Sequence, residues 1–294
     1  MTEYKNKLAI VTPAKNESNN VYGLAESVAK LEYLPDLWIF INDDSDDDTE
    51  KKFRESINTF PSLKQHCTIK IIKHISKDKS YSLGNKYSSV VKFGLDFLLK
   101  YEEDSKIKYD YIGILDCDIL IPENYYSFLM NKLENDPKLG IVSGGKQLEI
   151  DSNNKTSVTF SSRTHAPSGF RVWRRSCFND TGYFVSISQD SVSEARAIML
   201  GWKVRSYSDL SVTMRKRGDN FNYEYYGKSD YFRWIPNYYA IAKKLLMKMK
   251  GHNQEANSYY NGYCEAMKNN ISRLDDELSR RYFKNRIFYK LIGK

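Results

Sequence analysis

Long apolar runs are missing from this 294-residue chain. No window approaches the roughly 18 apolar residues of a membrane-spanning helix, and the best stretch, Ile235 to Met249, is broken by Pro236, Lys243, Lys244 and Lys248. No secretion signal is expected at the N-terminus either. Met1 to Lys7 is polar and charged, and the apolar stretch after it is too short for the hydrophobic region of a signal peptide. Cysteine is scarce, and Cys67, Cys117, Cys177 and Cys264 are far apart with no C-x-x-C pair. Neither a zinc site nor a disulfide framework can be read from them, and reduced cytosolic thiols are expected. Internal repeats and low-complexity tracts are absent as well. What remains is 41% hydrophobic and 28% charged, enough for a large core, which excludes a disordered chain.

The net charge of +8 is unevenly placed. Residues 231–294 hold 13 basic and 5 acidic side chains, whereas the first 230 hold 32 of each. A neutral body with a basic tail argues against a surface built for nucleic acid, which is not expected as a partner, and for a local anionic contact.

Short β-rich runs at Leu8 to Thr12, Trp38 to Ile41, Thr68 to Ile72, Tyr111 to Leu115, Ile141 to Ser143 and Lys203 to Tyr207 read as strands. Val21 to Leu31, Thr49 to Ile57, Asn85 to Lys100 and Glu123 to Leu133 between them have helical spacing. This alternation predicts an α/β fold with a mainly parallel, Rossmann-like sheet flanked by helices. Asp151 to Thr159 reads as an exposed loop. From about Tyr223 the composition turns aromatic and basic. We expect one domain over residues 1–222, with a nucleotide-binding half to about 120 and an acceptor half from about 121, followed by a helical extension over 223–294.

Ligands of such sheets bind beyond the strands' carboxyl ends, where this sequence is polar. The run Tyr111 to Leu115 ends in Asp116-Cys117-Asp118, two carboxylates that project to one side and suit a hard divalent cation carrying a ligand's phosphates. The acidic run Asp43 to Glu50 serves as a helix start, with Ser45 or Asp46 able to cap. Asp43, directly after its strand, is placed to accept the imide N–H of a uracil-like base. Asp190 precedes the helical stretch Ser191 to Leu200 and reads as an N-cap or as a base.

Taken in order, these elements resemble family 2 of the inverting nucleotide-sugar glycosyltransferases, which have the GT-A fold. Pro13 to Glu17 matches the family's Pro-x-x-Asn-Glu turn. Asn42 to Thr49 matches its acidic pattern, with Asn42 for the first aspartate. Ser82 to Lys86 is a loose match to a donor-binding segment. Asp116-Cys117-Asp118, Gly169 to Arg175, Gly182-Tyr183-Phe184 and Gln189-Asp190 follow in register, so the resemblance spans roughly residues 8–215. It implies direct displacement at the sugar's anomeric carbon, with Asp190 as general base and Mn²⁺ or Mg²⁺ on Asp116 and Asp118. The nucleotide-sugar would be held by Pro13, Ala14, Glu17, Asp43, Asp44, Asn85, Asp116 and Arg174. Many members carry a histidine where this chain reads Val212 to Arg217 without one. Arg215, Lys216 or Arg217 is expected to contact the diphosphate there.

The implied donor is a nucleoside diphosphate sugar, a UDP-sugar first, and the acceptor a glycan or lipid-linked hydroxyl in polysaccharide or glycoconjugate synthesis. Two other readings compete: a nucleotidyltransferase, disfavoured because Pro13 to Glu17 holds no glycine, and a degenerate interaction protein, disfavoured by Asp116, Asp118 and Asp190. In the tail, Tyr238, Ile241, Ala242, Leu245, Leu246 and Met249 fit one helical face, expected first to pack on the domain. Lys243, Lys244, Lys248 and Lys250 crowd the other side. Contact with an anionic membrane is the alternative use, and would make a cytoplasmic enzyme peripheral on the inner face of the cell membrane.

Overall fold

In a computed structural model, residues 6–75, 84–151, 155–215 and 223–291 are described. The first apolar runs form the strands expected of them: β1 (Leu8–Ala14), β2 (Leu37–Asp43), β3 (Thr68–His74) and β4 (Tyr111–Ile114). All four are parallel, with β1 between β2 and β4 and with β3 outside β2. Central parallel strands are covered on both faces, so β1 and β2 are buried almost throughout instead of alternating. The cover is α1 (Val21–Ala29), α2 (Thr49–Thr59), α3 (Pro61–His66) and α4 (Asn85–Ser105). Under α2, Phe53 stacks on Phe40 and meets Trp38 edge-on, while the Trp38 indole N–H donates to Thr12 Oγ1 at 2.9 Å, so the buried ring leaves no donor unpaired.

Beyond β4 follow β5 (Ile119–Leu120), α5 (Tyr125–Asn135), β6 (Leu139–Ile150), β7 (Thr156–Phe160), a 3-10 turn (Ser168–Phe170), β8 (Arg171–Arg174), α6 (Arg175–Thr181), α7 (Gln189–Met199) and β9 (Lys203–Arg215). Among the described residues the nine strands form one sheet in the order β3-β2-β1-β4-β8-β6-β9-β5, with β7 paired to β6. Two expectations need correction here. The strands foreseen at Ile141 to Ser143 and Lys203 to Tyr207 are the beginnings of strands of 12 and 13 residues. Part of the foreseen loop, Thr156 to Thr159, belongs instead to β7, a strand antiparallel to the end of β6. Its five residues are all exposed, so no burial pattern marked it.

The chain divides into two compact units, Met1–Ala197 with Gly201–Lys216 and Ile198–Leu200 with Arg217–Lys294. The second holds α8 (Tyr223–Phe232), α9 (Asn237–Met249), α10 (Asn253–Lys268), α11 (Glu277–Lys284) and α12 (Arg286–Leu291). Its aromatic core contains Tyr231, Tyr259 and Tyr263 with Ala240 and Ala266. Glycine lets α8 and α10 touch backbone to backbone: a Cβ on Gly262 would lie 2.2 Å from the Glu224 carbonyl oxygen, and one on Gly227 1.9 Å from that of Tyr259. Asp230, 1% exposed, accepts hydrogen bonds from Arg233, from Lys243 Nζ at 3.0 Å and from the Tyr259 hydroxyl at 2.7 Å. Helix α9 lies the other way round from the packing expected of it. Ala240, Lys243 and Met247 face the unit's interior, while Tyr238, Ile241, Leu245, Leu246 and Met249 are exposed.

Candidate functional site

The carboxyl ends of β1, β2 and β4 open on a cavity of about 270 Å³. Pro13 and Ala14 line it from the end of β1, Lys15 and Glu17 from the loop that follows, Asp43 from the end of β2, and Gly84, Lys86, Tyr87 and Val90 from the start of α4. Asp116, Cys117 and Asp118 line it from the turn after β4. Six of the residues singled out in the sequence, Pro13, Ala14, Glu17, Asp43, Asp116 and Asp118, are thus brought together.

Much of the polar sequence after β1 and β2 builds the rim itself. The Lys15 ammonium bridges the carbonyls of Asp43 and Asp44 at 3.0 and 2.9 Å. The backbone N–H groups of Asn16, Glu17 and Ser18 donate to Ser45, Thr49 and Asp47, and that of Asp46 returns a bond to Asn16 Oδ1. Asp47, one residue before the N-cap of α2, accepts the N–H of Thr49, the first residue of the helix, at 3.0 Å. Burial pushes it up, but hydrogen bonds from Thr49 and Ser18 outweigh this and hold it at about 2. Of the foreseen caps, Ser45 accepts the Asn16 N–H on its hydroxyl, and Asp46 gives its backbone N–H to Asn16.

Asp43, 4% exposed, directs one carboxylate oxygen to His74 Nδ1 at 2.7 Å and the other to Lys86 Nζ at 3.6 Å. Each oxygen has two lone pairs, so these contacts orient the group and leave acceptor capacity for a ligand's N–H. Across the cavity, the Tyr87 hydroxyl donates to Asp116 Oδ1 at 2.7 Å, and the Asp116 N–H to the Gly169 carbonyl at 2.7 Å. Burial and the Asp116 charge raise the Tyr87 phenol well above its ordinary value, so it remains a donor. Gly169 is required by this approach, since a Cβ there would lie 2.2 Å from Asp116 Oδ2.

Antiparallel pairing of β5 with β9, Ile119 opposite Met214, carries the end of β9 back to the turn after β4. The Arg215 guanidinium consequently lies 3.6 Å from Asp118 and 3.8 Å from Glu17. Burial, then the neighbouring Asp118 charge, raises the Glu17 carboxyl. Lys216 and Arg217 fall outside the described residues. Asp116 and Asp118 offer hard oxygens to one cavity, and no cluster of three or more His, Cys, Asp or Glu able to hold a metal occurs among the described residues. The donor set therefore fits an ion that arrives with phosphates and completes its shell from them and from water. Burial raises the Cys117 thiol well above its ordinary value, with Glu17 next in effect, so the cavity presents no thiolate nucleophile.

Asp190 lies in the first turn of α7, where negative charge is favoured, and its Oδ1 accepts the Ser191 N–H at 2.7 Å. It is absent from the cavity lining. Arg171, fully buried, fastens this corner: it donates to the carbonyls of Ala166, Pro167 and Asp190 and pairs with Glu194 at 3.2 Å. Tyr183 is buried and its phenol, raised first by that burial, also feels the charges of Asp116 and Asp190. Its buried hydroxyl, like Gln189 Oε1, has no hydrogen-bond partner among the described residues.

Three residues expected at the donor are elsewhere. Arg174 stands opposite Tyr111 in the β4–β8 pairing, at the amino end of β4, and binds the carbonyls of Leu133, Asp136 and Leu139. Asp44 turns its carboxylate outward, 4.0 Å from Lys73. Asn85 is exposed at the start of α4, and its neighbours Gly84, Lys86 and Tyr87 take the lining positions. Sequence reasoning missed Lys15, Lys86, Tyr87 and Arg171. The turn containing Lys15, the helix start at Asn85 and the Gly169 to Arg175 stretch were the available signals.

No family model matches the chain. Curated relatives are the poly-beta-1,6-N-acetyl-D-glucosamine synthases of Staphylococcus aureus, 23% identical over 209 residues, and Staphylococcus epidermidis, 24% identical over 209 residues. The match takes in 65% of this chain and 44% of each relative, so it spans less than half their length. Among solved structures, the mannosyltransferase PcManGT from Pyrobaculum calidifontis, in complex with GDP-Man and Mn²⁺, aligns over 99% of this chain and 87% of its own, with a TM-score of 0.58 and 12% identity. GalNAc-T7 with UDP, GalNAc and Mn²⁺ aligns over 99% and 58%, with a TM-score of 0.55 and 12% identity. A fragment of Staphylococcus aureus TarS in complex with UDP-GlcNAc aligns over 96% and 81%, with a TM-score of 0.51 and 11% identity. The fold is that of the GT-A glycosyltransferases, as the sequence resemblance implied.

Proposed function

We propose that this GT-A chain transfers a sugar, with inversion, from a nucleoside diphosphate donor, a UDP-sugar, to a hydroxyl of a growing polysaccharide or lipid-linked glycan. The observation that carries this reading is the convergence of Glu17, Asp43, Asp116 and Asp118 with Lys15, Lys86 and Tyr87 on one cavity at the strands' carboxyl ends. A carboxylate for the base, cations for phosphate and hard oxygens for an ion are the chemistry that a nucleotide-sugar asks for. The similarity to N-acetylglucosamine polymer synthases supports the acceptor class.

In this reading Asp43, oriented by His74 and Lys86, accepts the N–H of the base, with Pro13 and Ala14 against its ring. Arg215, beside Asp118, contributes positive charge to the diphosphate. Asp116 and Asp118 would hold Mn²⁺ or Mg²⁺, which when bound neutralises charge on the departing diphosphate. Asp190 takes the acceptor hydroxyl's proton as the oxygen attacks. No protein nucleophile is needed, which agrees with the suppressed ionisation of Cys117. The orphaned Tyr183 hydroxyl and Gln189 Oε1, beside Asp190, are the groups that substrate hydroxyls would satisfy, because buried polar atoms rarely stay unpaired.

Thermal-shift titration with UDP, GDP, CDP and dTDP, each with and without Mn²⁺, tests the donor site, since a ligand of the folded state raises the melting temperature by mass action. One nucleotide should stabilise the chain more than the others, and more with Mn²⁺ than without. A shift indifferent to metal would reassign diphosphate capture to Arg215 alone. The absence of any shift would remove the transferase reading.

A further inference from the structure

Helix α9 is 13 residues long and contains no acidic side chain. Its inward face is short: Ala240 is buried, Met247 packs against the aromatic core, and Lys243 is drawn in to Asp230 and over the Tyr259 ring at 4.2 Å. That leaves the larger apolar face without a partner among the described residues. Tyr238, Ile241, Leu245 and Met249 recur at helical spacing along it, with Leu246 at its edge, and their exposures run from 41% to 83%. Helical periodicity sets Lys244, its ammonium 4.5 Å from the Tyr260 ring, and Lys248 along one border of this stripe, and Lys250, at the C-cap, along the other.

Scattered exposed apolar residues need no explanation, whereas a contiguous stripe edged by one sign of charge marks a contact surface. We propose that this face of α9 is a docking surface for an anionic lipid bilayer, with the apolar stripe entering the headgroup boundary and the bordering lysines meeting lipid phosphates. Charge complementarity selects the occupant. All the net positive charge of the chain lies in residues 231–294, and the stripe is bordered on both sides by lysine with no carboxylate on the helix. A lysine in that position keeps its stem on the apolar surface and its ammonium at the phosphates. At about 20 Å long and carrying three lysines, with a fourth at its C-cap, the helix would lie along the surface, and no helix among the described residues is long and apolar enough to cross. The inference stands apart from the transferase reading, because it draws on no residue of the cavity.

Sedimentation of the full chain with phosphatidylcholine vesicles, with and without phosphatidylglycerol, tests it. Binding should require phosphatidylglycerol and weaken as salt is raised. Each lysine near an anionic surface contributes about fivefold to partitioning, so K244Q/K248Q/K250Q should weaken binding by on the order of a hundredfold. The apolar variant I241S/L245S/M249S, altered only at exposed positions, should lose sedimentation with its melting temperature preserved. Should the triple variant fold poorly, Met249→Ser alone, at the most exposed position, should still lower binding measurably. Failure of the wild-type chain to bind phosphatidylglycerol vesicles overturns the proposal. Undiminished binding by the serine variants also overturns it, by reducing the effect to diffuse charge. A wild-type dimer that the serine variants convert to monomer, without vesicle binding by either, would assign the face to a second copy of the chain and equally end it.

Discussion

The two units handle buried carboxylates in opposite ways. In the second, Asp230 is surrounded: burial pushes its carboxyl up, but Arg233 and Lys243 overrule that and bring it down to about 2. In the first, Glu17, Asp43, Asp116 and Asp118 gather on one cavity, where Arg215 lies 3.6 Å from Asp118 and Lys86 3.6 Å from Asp43. Burial and a neighbouring carboxylate leave Glu17 raised. A saturated carboxylate fixes a fold, and a surplus of them held apart by hydrogen bonds prepares a place for a cation or for a ligand that brings one. The difference separates structural acid from candidate functional acid without reference to any relative.

Substitution can break that contrast. Under the proposed reading, Asp190→Asn should lower transfer by about 10²- to 10⁴-fold, the usual contribution of a general base, while keeping the amide oxygen that accepts the Ser191 N–H. Nucleotide affinity and melting temperature should stay level, so a variant of full activity would remove Asp190 from the base role. The reverse pattern belongs to Asp230. Asp230→Asn strands two cations in the second unit's core and should cost about 3–5 kcal/mol of stability in denaturant titration. Its nucleotide affinity, measured where the variant is folded, should be unchanged. For the wild type, the Asp230 contribution is complete above the ordinary aspartate value of 3.8 and fades as pH falls toward about 2. A smaller loss, about 1–3 kcal/mol, is expected of Gly262→Ala, because the atom its Cβ meets is a backbone oxygen that cannot swing aside. An undiminished midpoint for Gly262→Ala would mean that α8 and α10 separate without cost.

The floor of the cavity was legible in the sequence because parallel strands buried on both faces announce themselves as apolar runs, and the residues after them must then lie at one sheet edge. Asp43, Asp116 and Asp118 follow from that rule alone. Arg174 does not, because only the antiparallel pairing of β8 decides which of its arginines comes to the carboxyl end. That position goes to Arg171, and Arg174 closes the end of α5 instead. The later halves of β6 and β9 were hidden for a related reason. Lys146 to Ile150 mixes charge and apolar residues in a ribbon with water on it, so pairing, not burial, defines it. In α9 the periodicity identified the stripe correctly but could not say which side of the helix would find a core. Asp230, calling Lys243 inward, decides that.

An intermediate case is His165, which feels the Asp190 charge. His165 sits 3.0 Å from Glu194, which Arg171 also holds, and the Glu194 charge is the main cause that raises the ring above its ordinary value near 6.5. Part of the imidazole is open to water, so the pair is screened as the Asp230 cluster is not. A histidine with a raised folded value stabilises most when charged. Its contribution is therefore complete below about pH 6.5 and is lost as pH climbs through the folded value. His165→Gln should accordingly lower the melting temperature by a degree or two at about pH 5.5 and by less at about pH 8.5. Parallel melting curves for wild type and variant across that range would show that the Arg171–Glu194 pair alone holds this corner, and that the first unit's ion pairs are as insensitive to pH near neutrality as the second's.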